Sequence, residues 1–101
     1  MADLLAREDI DTAMAALPGW AYEDGKLVKT ADVPADSQDG LVEAVMSVAD
    51  EMNHHPDVSR DRGSVTFRLW THSAGGVTTK DVELAARIDA QLSGSGTDTD
   101  S

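Results

Sequence analysis

Two tight-turn signals most constrain what this chain can fold into. Asp24-Gly25 lies between Trp20-Ala21-Tyr22-Glu23 and Lys26-Leu27-Val28-Lys29-Thr30, and Asp61-Arg62-Gly63 lies between Asp57–Arg60 and Ser64–Trp70. Asp-Gly is favoured where both central residues of a two-residue hairpin turn take positive φ, so the first pair of segments reads as a hairpin. The second pair reads the same way. In its longer segment, alternation puts Val65, Phe67 and Leu69 on one face and Thr66, Arg68 and Trp70 on the other.

Helical spacing fills the remaining stretches. Ile10, Ala13, Met14 and Leu17 recur at i, i+3, i+4 and i+7 before Pro18-Gly19 stops the run. A second helix is expected from Asp36 or Ser37 to about His54, with Pro56 enforcing its exit because proline disfavours helical geometry at the residue before it. Stepping 100° per residue, Leu41, Val42, Ala44, Val45, Met46, Val48, Ala49 and Met52 cover roughly 200° of that helix, while Glu43, Ser47, Asp50 and His54 take the polar side. Thr78 and Asp81 have capping-box spacing, and Leu84, Ala85, Ile88 and Leu92 give the third helix a buried stripe. The order helix, hairpin, helix, hairpin, helix implies an α+β fold, with a four-stranded antiparallel sheet and three helices on one face. Residues 1–93 are expected to form one domain, and the Gly, Ser, Thr and Asp of 94–101 a disordered tail.

Composition removes several function classes. At 101 residues the chain supports a single modest core. It has no cysteine, which excludes disulfides, thiolate nucleophiles and cysteine metal sites together. No apolar run approaches the roughly 20 residues of a membrane span, and Met1-Ala2-Asp3-Leu4-Leu5 lacks a basic segment and an apolar signal core, so the expected location is cytoplasmic, with no membrane partner. The net charge of −11, from 19 acidic against 8 basic residues, argues against nucleic acid as a partner. It also suits a protein adapted to molar salt, where self-repulsion is screened.

All 3 histidines fall in one part of the sequence: His54-His55-Pro56, with Asp50 just upstream, then His72, then Asp81. Histidine is the side chain whose ordinary pKa lies near neutrality, so such a grouping suggests proton transfer or metal binding. A metal site would draw on His54, His55, His72 and Asp50. Adjacent histidines split by a helix exit suit one metal poorly, and no spacing here matches a zinc signature, so no metal is expected. Asp50 stands four residues before His54 and is expected to pair with it on one helix face. His55, held extended before Pro56, is the leading acid–base candidate.

The stretch Asp50-Glu51-Met52-Asn53-His54-His55-Pro56-Asp57, then Val65-Thr66-Phe67-Arg68-Leu69-Trp70-Thr71-His72, then Lys80-Asp81-Val82-Glu83-Leu84-Ala85, resembles the pterin-4a-carbinolamine dehydratases. The likeness covers about residues 6 to 92 in element order and is most specific from Asp50 to Asp81. It implies dehydration of a 4a-hydroxytetrahydropterin to the quinonoid dihydropterin in tetrahydrobiopterin recycling or related pterin metabolism, without metal or organic cofactor. It also implies that His54, His55 and His72 are catalytic and that Asp50 and Asp81 bind substrate or support the histidines.

The sequence departs from the family where aromatic residues are usual, at Val58 and Arg62. Trp70 could supply a replacement aromatic surface, an oligomer contact or plain sheet packing. The alternative to an enzyme is a pterin-binding or protein-interaction module on the same scaffold without turnover. The wide apolar arc of the second helix, with a surplus face centred on Val42, Met46 and Ala49, predicts a homo-oligomer, and the resembled family assembles as dimers or tetramers.

Overall fold

The computed structural model describes residues 4–97. The elements are α1 (Arg7–Ala15), β1 (Ala21–Glu23), β2 (Lys26–Asp32), α2 (Ala35–Met52), β3 (Asp57–Arg60), β4 (Ser64–Leu69) and α3 (Thr79–Thr97). The strands form one antiparallel sheet in the order β1-β2-β4-β3. Asp24 and Gly25 take φ of 52° and 75°, the double positive φ that the first hairpin turn requires.

One face of the sheet carries the core. Leu27, Val65, Phe67 and Leu69 are buried and join Ile10, Leu17, Leu41, Val45, Leu84 and Ile88 in a single apolar cluster. The alternate residues Val28, Thr66, Arg68 and Trp70 are only half-buried on the opposite face. All three helices therefore lie on one side, as the order of elements predicts. Trp20 is buried, and its indole N–H donates to Asp89 at 3.0 Å, where the Lys29 ammonium also reaches at 2.9 Å. Gln38, fully inside at the start of α2, donates to the carbonyls of Val33 and Asp61 at 3.0 and 2.7 Å and ties this helix to the second hairpin.

The structure departs from the sequence expectation at three places. Ala49 is buried in the core rather than on a surplus face of α2, and Val42 also packs against the core, which leaves Ala44 and Met46 half-buried on the outer side. The wide arc is largely absorbed because α2 touches both the sheet and α3. The second helix ends at Met52 rather than His54, because Asn53 adopts the left-handed conformation (φ 55°, ψ 43°) that asparagine tolerates better than most residues. The third helix continues through Thr97, past the stop expected at 93, since small polar residues weaken a helix already propagating without breaking it. Residues 98–101 of the expected tail lie outside the described residues. No helix among the described residues is long and apolar enough to cross a membrane.

Candidate active site

The C-terminal end of α2 sets the site. After the left-handed turn at Asn53, the His54 N–H donates to the Ala49 carbonyl at 2.9 Å, a bond spanning five residues that closes the helix and redirects the chain. His54 leaves the axis of α2 and points toward α3. Its Nε2 lies 2.6 Å from Asp81 Oδ1, with the His54 side chain 11% exposed and Asp81 fully buried.

Asp81 is held from several sides. It stands in the first turn of α3, where the Thr78 backbone N–H donates to Oδ2 at 2.9 Å, and Thr78 Oγ1 in turn accepts from the Lys80 N–H at 3.3 Å. This is the expected capping box. The Thr71 hydroxyl adds a third donor to the carboxylate, at 2.8 Å from Oδ2, and lies 2.8 Å from the Thr78 hydroxyl. Oδ2 is thus occupied by Thr71 and Thr78, and Oδ1 accepts from His54 Nε2–H. That assignment leaves Nδ1 as the ring position free to exchange a proton.

His55 turns the other way. Its Nε2 lies 2.6 Å from Asp50 Oδ1, and both side chains are more than half exposed, at 53% and 72%. The expected Asp50–His54 pair is therefore replaced by Asp50–His55 and His54–Asp81. The i to i+4 spacing applies only while the helix continues, and Asn53 interrupts it. His72 follows β4 in an exposed loop. Its ring lies against Trp70, with centroids 4.5 Å apart and planes tilted by 36°. Among the described residues, the His72 side chain makes no hydrogen bond.

An open pocket of about 750 Å³ gathers these groups. His54, His55, Trp70, Thr71, His72 and Lys80 line it. All three histidines named from the sequence thus meet at one cavity, Asp50 and Asp81 stand directly behind two of them, and Trp70 forms part of the wall. Thr71 and Lys80, and Asn53 which also lines the pocket, are not legible as site residues. Only the position of Thr71 between Trp70 and His72, inward by strand alternation, could have flagged it. A groove of about 700 Å³ beside the start of α2 contains Lys29 and Asp32 but no histidine. Among the described residues, no three histidine or carboxylate side chains converge as metal ligands.

Fold and pocket together define a small α+β domain that presents paired histidine and carboxylate groups to a ligand-sized cavity. The chain belongs to the family described as pterin 4 alpha carbinolamine dehydratase, which matches residues 3–91. A Mycolicibacterium smegmatis protein is 40% identical over 92 residues, spanning 89% of this chain and 97% of that one. A Sulfolobus acidocaldarius protein is 40% identical over 86 residues, 84% of this chain and 94% of that one. Both carry provisional names as pterin-4-alpha-carbinolamine dehydratases. The crystal structure of a transcriptional coactivator/pterin dehydratase from Brucella melitensis aligns with a TM-score of 0.84 at 25% identity, covering 88% of this chain and 98% of that one. A pterin dehydratase-like protein identified as a RuBisCO assembly factor shares the fold at a TM-score of 0.57 and 19% identity, over 71% of this chain and 84% of that one.

Proposed function

We propose that this protein dehydrates a 4a-hydroxytetrahydropterin to the quinonoid dihydropterin and water. The reading rests on family membership together with three histidines around one pocket, two of them held by carboxylates at 2.6 Å. In the carbinolamine, the N5 lone pair forms a double bond to C4a as the C4a–O bond breaks. One group protonates the departing hydroxyl, so that it leaves as water, and another accepts the N5 proton. The elimination is internal to the substrate and uses no electron acceptor.

Histidine suits both proton transfers near neutrality, and each well-placed acid or base contributes about 10²–10⁴-fold. We assign proton transfer to His55 first, since it is exposed to the pocket and oriented by Asp50. His54, fixed by Asp81 through Nε2, keeps its second ring nitrogen for the substrate, and His72 completes the set from the loop after β4. Lys80 supplies a cationic donor at the pocket edge.

The test is turnover of freshly generated 4a-hydroxytetrahydropterin, measured in dilute buffer and in molar salt. Acceleration over the uncatalysed reaction supports the enzyme, and His55→Ala should lose most of it. Absence of acceleration in both conditions, combined with measurable pterin binding, would instead support the non-catalytic module.

A further inference from the structure

The three histidines are not held alike. His54 and His55 each contact a carboxylate at 2.6 Å, whereas His72 contacts an indole. An exposed loop histidine without a hydrogen-bond partner ordinarily samples several rotamers, and loss of alignment by about 1 Å can cost roughly 100-fold in rate. Something must restrain this ring if it is to act.

Trp70 is placed to do so. It follows Leu69 at the end of β4, and Lys26 stands across from it, one residue beyond the Leu27–Leu69 pair. The Lys26 ammonium lies 4.8 Å from the centroid of the indole, and the His72 ring lies 4.5 Å from the same residue. Cation–π contact on an indole is the strongest of its kind among aromatic side chains. The turn at Gly25 brings Lys26 into position and passes close to Gly76, which closes the loop carrying His72 through its bridge with Thr71. The chain has 4 aromatic residues other than histidine by type, and Trp70 is the one in the pocket wall.

We propose that Trp70, steadied by Lys26, is the positioning residue for His72, setting the plane of its ring toward the pocket. Trp70 acts through His72 rather than on the pterin, and its effect on rate rests on the dehydratase reading above. The placement of the ring does not.

Two measurements separate these levels. Indole ring current shifts the His72 ring protons, whose NMR signals are identified by their disappearance in His72→Ala. Trp70→Ala should move those signals toward the values of a free histidine, Trp70→Phe should restore much of the displacement, and Lys26→Met should give an intermediate shift. Unmoved His72 signals in Trp70→Ala overturn the proposal whether or not the protein is an enzyme. In turnover, Trp70→Ala should lower kcat by about 10–100-fold with KM changed little. The double variant with His72→Ala should be no slower than His72→Ala alone, because both remove the same contribution. A raised KM with unchanged kcat, or independent and multiplicative losses, would overturn the positioning role. Absence of wild-type turnover would remove the dehydratase reading and leave the NMR result to decide the placement.

Discussion

His54 Nε2 and Asp81 Oδ1 lie 2.6 Å apart, joining the exit of α2 to the first turn of α3 through a carboxylate that also caps the latter helix. A single side chain thus supports the fold and orients a candidate catalytic ring. Asp81→Asn should expose both roles at once. The carboxamide cannot accept at every position now satisfied by the carboxylate, so urea unfolding should show a loss of about 1–3 kcal/mol. Turnover should fall by about 10–100-fold, the usual effect of losing the partner that orients a functional histidine.

Asp50→Asn provides the contrast. Asp50 is exposed, and its pair with His55 is screened by solvent, so stability should stay within about 0.5 kcal/mol of wild type. Activity should fall, but less than in His55→Ala, because in the proposed mechanism Asp50 only orients the ring that transfers the proton. Parallel melting curves and steady-state rates for the two variants check this ranking.

Gln38→Leu should destabilise the protein by about 1–3 kcal/mol without touching the pocket. The buried amide donates to carbonyls of Val33 and Asp61, and an apolar replacement leaves those acceptors without a partner inside the fold. Chemical denaturation reads the loss, and kcat at low denaturant should be unchanged.

Salt should stabilise this protein. With a net charge of −11 on 101 residues, repulsion opposes the compact state in dilute buffer, while at about 1 M salt the screening length is about 3 Å. The melting temperature should rise from dilute buffer to molar potassium chloride, and a flat or falling trend would count against adaptation to salt.

Self-association through α2 now has a narrower basis, the half-buried Ala44 and Met46 on its outer side. Light scattering in molar salt should give a mass above that of one 10.7 kDa chain. Met46→Glu should lower that mass before the protein unfolds, because a two-fold interface would set the new charges against each other.

Much of this architecture was legible because local rules and tertiary packing agree. Asp24-Gly25 marked a hairpin, the alternation from Val65 to Leu69 marked the inward face, and Thr78 with Asp81 marked the start of α3. The pairing of the site was not legible. Counting 100° per residue through His54 put it beside Asp50, but Asn53 breaks the helix one step earlier and exchanges the partners. The burial of Ala49 is not legible for a different reason: periodicity shows how wide an apolar arc is, not how many neighbouring elements divide it. Thr71 and Gln38 carry no motif, and their importance arises only when carbonyls and a carboxylate from distant segments surround them.

The left-handed residue at position 53 has a consequence for how such a site can change over time. Two histidines that are neighbours in the chain answer to different helices, one to the start of α3 and the other to the last turn of α2. Each can therefore be retuned without dragging the other: repacking at α3 adjusts His54, while exchanges on the exposed side of α2 adjust His55. Adjacency in sequence has been converted into mechanical independence, giving a chain of this length two separately adjustable arms around one pocket.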